Sequence, residues 1–103
     1  MMNYKDCIEA CLKCLKDCKY CISQMAGKES KNDCPNCCIQ CVTSCQATLE
    51  MAIANSKWTK QYAKLCAEIC EYCAEQCEAH NHEHCKQCAE SCRKCAEACR
   101  AIQ

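Results

Sequence analysis

Residues 7–21 read CIEACLKCLKDCKYC, a segment in which cysteines stand at positions 7, 11, 14, 18 and 21. The steps between these cysteines are 4, 3, 4 and 3, and side chains at this spacing share one face of an α-helix. Tyr4 and Met25 extend the same stripe at its two ends. With Asn3 as the N-cap and Gly27 as the C-terminal stop, the pattern predicts a first helix over residues 4–26.

Three further cysteine stripes follow, and each predicts another helix. Asp33 precedes Cys34-Pro35, and a proline in the first turn of a helix loses no hydrogen bond. Asn55-Ser56 provides the next N-cap. The predicted bounds of the three helices are Cys34-Pro35 to about Ala54, residues 57–79 and residues 82–102.

The four stripes contain 18 of the 19 cysteines, and the remaining one, Cys37, lies beside the second stripe. Leu49, Ala52 and Ile53 are expected to continue the inner face of the second helix, and Tyr62 that of the third. The candidate metal ligands are Cys7, Cys11, Cys14, Cys18, Cys21, Cys34, Cys37, Cys38, Cys41, Cys45, Cys66, Cys70, Cys73, Cys77, Cys85, Cys88, Cys92, Cys95 and Cys99.

Short connections favour antiparallel neighbours, so residues 1–103 are predicted to form one domain. Its expected fold is all-α, an up-down-up-down four-helix bundle with a cysteine-lined core. This arrangement has two unlike ends. The first, here called the mouth, is expected to collect Met25, Cys34, Cys37, Cys77, His80, His84 and Cys85. The second, an apolar plug, is expected to collect Tyr4, Leu49, Ile53, Trp58, Tyr62, Leu65 and Ile102.

The composition supports a core made of cysteine. Six Ile, four Leu, one Val and no Phe are too few for an ordinary core in 103 residues. A free cysteine behaves as a small buried hydrophobe and can take the place of Leu or Val. The net charge is zero and neither sign forms a run, which argues against a nucleic-acid or membrane surface.

The N-terminal residues meet charges at Lys5 and Asp6, and no apolar stretch is long enough for a signal peptide or a membrane span. We therefore expect a cytoplasmic protein. Because that compartment is reducing, the thiols are expected to be free or metal-bound rather than paired as disulfides.

The spacing of the cysteines indicates the metal. Helix positions three or four apart place their Cβ atoms roughly 5–6 Å from each other, so two thiolates on one helix can hold one ion between them. Cu(I) is soft and accepts few ligands. One monovalent ion per thiolate also leaves the core neutral, which avoids burying bare charge. Zinc prefers four tetrahedral ligands, and straight helices offer no obvious closed set of four, so a zinc buffer is the second interpretation.

Three further residues are candidate ligands at the mouth. His80 and His84 flank stripe positions and are candidates for contact with a metal ion as it enters. Met25 is either a soft ligand or a filler at the edge of the core.

Other functions fit the sequence less well. An iron-sulfur protein would need a run such as C-x₂-C-x₂-C, which is absent. The C-x-x-C pairs lie within helices and outside any βαβ unit, against a thiol-redox enzyme. No catalytic constellation is evident, and we predict no enzyme.

Rows of apolar residues lie one position beyond the first two cysteine stripes. They either seal the seams between helices or form an exposed patch that drives self-association. Their members are Ile8, Leu12, Leu15, Ile22, Ile39, Val42, Leu49 and Ile53.

Taken together, these residues resemble the cytosolic branch of the copper storage protein family. The resemblance spans nearly the whole chain, and its carriers are Cys7-x₃-Cys11-x₂-Cys14-x₃-Cys18, Cys66-x₃-Cys70-x₂-Cys73-x₃-Cys77 and the turn from His80 to Cys85. It implies a four-helix bundle that stores many Cu(I) ions through cysteine pairs along its core. It also implies a homotetramer into which copper passes at the histidine-bearing end.

Overall fold

The computed structural model describes residues 4–102 and shows four α-helices in an elongated bundle of 45 × 18 × 17 Å. The helices are α1 (Lys5–Met25), α2 (Asn36–Ile53), α3 (Thr59–Glu78) and α4 (Glu83–Arg100). Each helix packs along its two neighbours in the order α1–α2–α3–α4–α1. The predicted all-α, antiparallel four-helix bundle with a cysteine-lined core is confirmed.

The ends of the helices show which local signals operate. Gly27 adopts a φ of +79°, which only glycine reaches without strain, and it follows α1 as predicted. Asn3 lies outside the described residues. The segment 33–35 forms a turn in which Cys37 N–H donates to the Asp33 carbonyl (2.9 Å), so α2 begins just after the proline.

The prediction that Asn55-Ser56 opens the third helix at residue 57 is wrong by two residues. Asn55 takes a left-handed φ of 53° immediately after α2, and Asn tolerates this conformation better than most residues. Ser56 accepts a hydrogen bond from Trp58 N–H (3.1 Å) through its hydroxyl. Thr59 then starts α3, and its buried hydroxyl donates to the carbonyls of Ser56 (2.7 Å) and Met51 (3.1 Å).

The core consists of sulfur and small side chains. All 19 cysteines are buried and free. A second set of small residues lets α3 and α4 approach each other closely, and its members are Ala63, Ala67, Ala74, Ala89 and Ala96. Cysteine thus fills the volume that Leu and Val occupy in other bundles.

The predicted apolar plug is only partly present. Leu49 is buried, and Tyr4 and Ile102 pack against the core. Ile53, Trp58, Tyr62 and Leu65 are instead exposed. An α-helix has 3.6 residues per turn, so a stripe of alternating three- and four-residue steps drifts around the helix. On α3, Thr59 and Ala63 take the inward positions that Tyr62 was expected to hold, and on α2 Ala52 rather than Ile53 is buried.

Some residues of the apolar rows beside the stripes seal seams between helices, and others are exposed on the surface. Leu15, Ile22 and Val42 are half-buried against the core and seal the seams between helices. Leu12 and Ile39 are about half exposed and belong to the surface. None of the four described helices is apolar over enough of its length to cross a membrane.

Candidate metal centre

Helices α1 and α4 meet through a ladder of sulfur pairs. Each cysteine of α1 faces a cysteine of α4. From one pair to the next, the residue number rises along α1 and falls along α4. The Sγ–Sγ distances are 4.0 Å for Cys7–Cys99, 3.7 Å for Cys11–Cys95, 3.7 Å for Cys14–Cys92, 3.4 Å for Cys18–Cys88 and 3.8 Å for Cys21–Cys85. The ladder extends over the full length of the cysteine stripes.

Helices α2 and α3 interleave their sulfurs in a zigzag instead of pairing them one to one. Cys38 and Cys45 of α2 each lie near two α3 sulfurs. Cys41 lies near one, that of Cys70, which is also a neighbour of Cys45. The Sγ–Sγ distances are 3.8 Å for Cys45–Cys66, 3.9 Å for Cys45–Cys70, 3.4 Å for Cys41–Cys70, 3.7 Å for Cys38–Cys73 and 3.6 Å for Cys38–Cys77.

The ladder and the zigzag join at the bundle axis. The diagonally opposite helices α2 and α4 touch there through their sulfurs, at 3.6 Å for Cys38–Cys88, 3.8 Å for Cys41–Cys92 and 3.8 Å for Cys45–Cys95. Cys14 and Cys41 connect α1 with α2 at 3.5 Å. The thiols therefore form one connected network, through which an ion can pass from site to site.

Cysteines four residues apart on one helix bring their sulfurs close together, as the spacing predicts. The Sγ–Sγ distance is 3.9 Å in Cys14–Cys18, Cys41–Cys45 and Cys73–Cys77, 3.8 Å in Cys66–Cys70 and 4.0 Å in Cys95–Cys99. A small shift of side-chain rotamer would place one ion between the two sulfurs of such a pair.

Closed sets of four thiols also occur, and the expectation that straight helices offer none is wrong. In each set the four Sγ atoms lie within 4.8 Å of one another and come from three or four helices. The sets include Cys11, Cys66, Cys95 and Cys99; Cys14, Cys45, Cys70 and Cys95; Cys14, Cys18, Cys41 and Cys92; Cys18, Cys73, Cys88 and Cys92; and Cys21, Cys34, Cys38 and Cys77.

These sets share members, which bears on the choice of metal. Cys14, Cys18, Cys92 and Cys95 each belong to two of the sets named above. Four thiolates around one Zn²⁺ leave two buried negative charges, and a shared thiolate cannot complete two separate zinc sites without bridging. Bridging thiolates suit Cu(I), since each ion needs few ligands and neutralises one sulfur.

Cys34, which precedes α2, and Cys37, in the first turn of α2, have different surroundings. Cys34 belongs to the set with Cys21, Cys38 and Cys77. The Sγ of Cys37 points to the backbone carbonyl of Cys73 at 4.0 Å and is fully buried. Cys37 therefore lies at the edge of the sulfur network, as its position beside the stripe predicts.

Three thiols at the mouth differ in pKa because their surroundings differ. Burial raises the pKa of Cys85 to about 12 and that of Cys34 still further. Hydrogen bonds from neighbours, above all Cys38 and then Cys77, with His84 contributing, lower the pKa of Cys21 to about 6. A metal ion must displace the proton from the first two thiols, whereas the third is available as a thiolate near neutral pH.

His84 is oriented toward the sulfurs of the mouth. Its Nδ1 atom lies 3.5 Å from Cys21 Sγ and 3.4 Å from Cys85 Sγ. Its Nε2 atom is buried and has no hydrogen-bond partner among the described residues. The Tyr20 ring packs edge-on against the imidazole with the centroids 6.5 Å apart. The ring thus presents one nitrogen to two thiols in an otherwise apolar setting.

His80 has a different environment. Its Nε2 atom lies 2.8 Å from Asn32 Oδ1 and 3.2 Å from Ser30 Oγ, which ties the end of α3 to the α1–α2 loop. His82 is exposed and stacks between the other two rings, at 6.2 Å from His80 and 5.1 Å from His84. The structure therefore brings His84, and not His80, to the sulfurs. Met25 ends α1 and is buried at the same end.

A model of the family described as "Copper storage protein" matches residues 1–103. The chain belongs to the copper storage protein family. Solved structures similar to it include the Cu(I)-bound copper storage protein BsCsp3, with a TM-score of 0.88, 34% identity and coverage of 97% of this chain and 98% of that one. The apo form of copper storage protein 3 from Bacillus subtilis gives a TM-score of 0.87 at 35% identity, covering 93% and 94%.

Two further proteins are similar to the chain. The Nmul_A1745 protein from Nitrosospira multiformis has a TM-score of 0.83 at 31% identity and covers 95% of this chain and 92% of its own. The cysteine-rich protein YhjQ of Bacillus subtilis strain 168 is 34% identical over 92 residues, 85% of each chain. The bundle, the thiol core and the family agree on copper as the stored metal.

One buried polar residue has no recognisable signal in the sequence. Asp17 is buried between α1 and α4, where its carboxylate accepts hydrogen bonds from Lys13, Gln87 and Ser91. In the sequence Asp17 is one more charged residue between cysteines, and only the packing of α4 reveals its partners.

Proposed function

We propose that this protein stores Cu(I) in the cytoplasm as a thiolate-bridged cluster that runs along the bundle axis and involves all 19 cysteines. The observation that carries the proposal is the connected sulfur network, in which neighbouring Sγ atoms of all four helices lie 3.4–4.0 Å apart. A network of this kind gives every ion at least two thiolates and allows thiolates to bridge ions.

Charge sets the capacity. About one Cu(I) per thiol leaves the core neutral, whereas bare thiolates in the same volume would be prohibitively costly to bury. Each ion that binds a protonated thiol releases one proton. We expect saturation near one ion per cysteine and a bundle that becomes more stable as it fills.

His84 is the histidine that we assign to the mouth as a ligand. Its Nδ1 atom and the sulfurs of Cys21 and Cys85 form a three-atom set at the first rung of the ladder, which an arriving ion meets before the deeper rungs. His80 and Met25 act more indirectly, since His80 is held by Asn32 and Met25 is buried beside the last turn of α1. The role of the protein is storage and not catalysis.

Zinc is the alternative cargo, and the closed sets of four thiols favour it more than the sequence suggests. Because the sets share cysteines, zinc can fill only some of them as separate tetrahedral sites. A large excess of bound Cu(I) over bound Zn(II) at saturation therefore distinguishes the two cargoes.

A tetramer is the proposed assembly, and the α2–α3 face is its proposed interface. A cavity of about 390 Å³ opens on this face and has no charged residue in its lining. The exposed side chains Ile39, Tyr62 and Leu65 surround it. An uncharged apolar surface of this kind is typical of contacts between protein chains.

The storage function is tested by anaerobic titration of the reduced apo-protein with Cu(I), and separately with Zn(II), against a strong chelator. Native mass spectrometry then counts the ions bound per chain. We expect close to one Cu(I) per cysteine and far fewer Zn(II). Saturation at only a few Cu(I) per chain would contradict storage, and a higher stability of the zinc form in direct competition would favour the zinc buffer.

The assembly is tested by sedimentation of the wild type and of the Leu65→Glu variant. A charge at this site should break the tetramer because it cannot be buried without a partner. Leu12→Glu is the matched control, since Leu12 is similarly exposed but lies on α1. A monomeric wild type, or equal dissociation of the two variants, would rule out this interface.

A further inference from the structure

At the end of the bundle opposite the histidines, two of the buried cysteines retain a small exposed fraction. Cys7 and Cys99, which form the last rung of the α1–α4 ladder, each retain 2% exposure, and Cys34 at the mouth retains 1%. The other cysteines have none. The cysteines with the largest exposed fraction thus lie at the end where α4 finishes and α3 begins.

A cavity of about 330 Å³ opens beside one of these cysteines. It lies between the first half of α3 and the end of α4, and Cys99 forms part of its lining. The remaining lining residues are Lys60, Lys64, Ala67, Glu68, Arg100 and Ile102. The volume is large enough for a small thiol and too small for a folded partner.

The rim of this cavity is positively charged. Lys60 and Lys64 are exposed, one helical turn apart on α3, and neither forms an ion pair with any residue from 4 to 102. Arg100 is paired with Glu71, which lies outside the cavity lining. Besides this paired arginine, the lining holds two cations, Lys60 and Lys64, and one carboxylate, that of Glu68. An anionic ligand is therefore favoured over a neutral or cationic one.

We propose that this cavity is a docking site for the Cu(I) complex of a small anionic thiol, and that Cu(I) passes there between the thiol and Cys99. The proposal rests on the proposed storage function and adds a second route to the core, distinct from the histidine-bearing mouth. Carboxylates of the carrier contact Lys60 and Lys64 while its copper-bearing sulfur faces Cys99.

The exchange is a ligand substitution that leaves copper as Cu(I). The Cys99 sulfur forms a bond to the ion, one bond between the ion and a carrier thiolate breaks, and the proton of the Cys99 thiol leaves on the departing thiolate. The ion then moves to Cys7 or Cys95, each 4.0 Å from Cys99 between Sγ atoms. Cys11 and Cys66 complete the set of four around this position.

The test compares two Cu(I) donors of opposite charge, the glutathione complex and the cysteamine complex. Uptake by the apo-protein is followed anaerobically by stopped flow, through the thiolate-to-copper absorbance in the ultraviolet. In the double variant K60E/K64E we expect uptake from Cu(I)–glutathione to slow by about three- to tenfold, and uptake from Cu(I)–cysteamine to stay equal or to accelerate. The wild-type rate with glutathione should also fall as salt is added.

The matched control is K16E/K19E, which makes the same change in net charge on exposed lysines of α1. It should alter the glutathione rate by less than about twofold, because the charges lie beyond effective range of the cavity. Equal slowing of both donors, equal slowing by the control, or an unchanged rate in K60E/K64E would overturn the docking site. K60Q/K64Q provides the same comparison with a milder change, and half of the effect is expected there.

The end point of each trace separates this inference from the storage function. Full Cu(I) capacity, together with equal slowing of uptake from both donors in K60E/K64E, rejects the docking site and leaves storage intact. A wild type that saturates at a few ions with either donor rejects storage itself, and with it the need for a second route.

Discussion

Asp17 on α1 accepts a 2.9 Å hydrogen bond from the Gln87 side chain on α4, directly beside the cysteines of the sulfur ladder. Ser91 of α4 and Lys13 of α1 donate to the other carboxylate oxygen. Because the carboxylate is almost completely buried, it needs these hydrogen-bond donors. Helices α1 and α4 bring the donors to it together at only one axial offset. The network thereby holds α1 and α4 in the register that pairs their sulfurs.

The first prediction concerns this network. Burial opposes the ionisation of Asp17, but the hydrogen bonds from Ser91, Lys13 and Gln87 outweigh it and lower the pKa of the carboxyl group. Asp17→Asn keeps the size and removes the charge, and should lower the free energy of unfolding of the apo-protein by about 2 kcal/mol at neutral pH. Chemical denaturation of the reduced protein measures the change.

The same variant has a defined pH dependence. A carboxyl group with a lowered pKa stabilises the folded state above its ordinary pKa, and this stabilisation disappears as pH falls through the folded-state value. The difference between wild type and D17N should therefore shrink below about pH 4. A constant difference at all pH values would show that the charge of Asp17 is not involved. Lys19→Gln, an exposed change on the same helix, is the control.

The second prediction concerns the alkaline stability of the apo-protein. Burial raises the pKa of Cys85 to about 12 and raises that of Cys34, so the unfolded chain loses these protons first. Their contribution is complete below the unfolded thiol pKa of about 8.5 and is lost as pH rises. The pKa of Cys21 is lowered to about 6, so this thiol stabilises the folded state more as pH rises. Its contribution to stability is already complete above about pH 8.5 and does not offset the loss. Stability should fall above about pH 9.

Anaerobic thermal unfolding between about pH 8 and 10.5 measures this loss. The Cu(I)-loaded protein is the control, because its thiols are already deprotonated and copper holds them in place. An apo-protein that gains stability over this interval, or a loaded form that loses as much as the apo form, would contradict the prediction.

The third prediction distinguishes the centre of the network from its edge. Cys41 Sγ lies 3.4 Å from Cys70, 3.5 Å from Cys14 and 3.8 Å from Cys92, so its thiolate can bridge ions held by three helices. Cys41→Ser should lower the Cu(I) capacity by about two ions, whereas Cys37→Ser at the edge should lower it by about one or none. Native mass spectrometry at saturation gives both numbers, and equal losses would argue against bridging by Cys41.

The fourth prediction concerns the mouth. His84→Ala removes the nitrogen that faces Cys21 and Cys85, and should slow Cu(I) uptake severalfold while capacity stays within about one ion of the wild type. His80→Ala removes a contact with Asn32 and should have the smaller effect on uptake. Stopped-flow uptake from Cu(I)–cysteamine measures both rates, since that donor is not attracted to the cationic cavity. A normal rate in the double variant would exclude the two histidines from uptake.

Particular residues show how far the sequence could be interpreted. The repeated steps of three and four define the inward face of each helix, and every cysteine placed in the core by this pattern is buried there. The same extrapolation fails beyond the sulfurs at Ile53 and Tyr62, where the stripe has drifted and smaller neighbours face inward. Asn55 was misassigned because an Asn at a left-handed position after a helix looks the same in sequence as an N-cap.

Sequence alone determined the four helices, their sulfur-lined faces and the preference for a soft monovalent ion, because helical periodicity and thiol chemistry are local properties. Only the tertiary structure decided which sulfurs meet, that His84 and not His80 faces them, and that Cys99 borders a cationic cavity. Periodicity gives the direction in which a side chain points around its own helix. The axial register between helices depends on contacts such as Asp17 with Gln87, which join residues far apart in the chain.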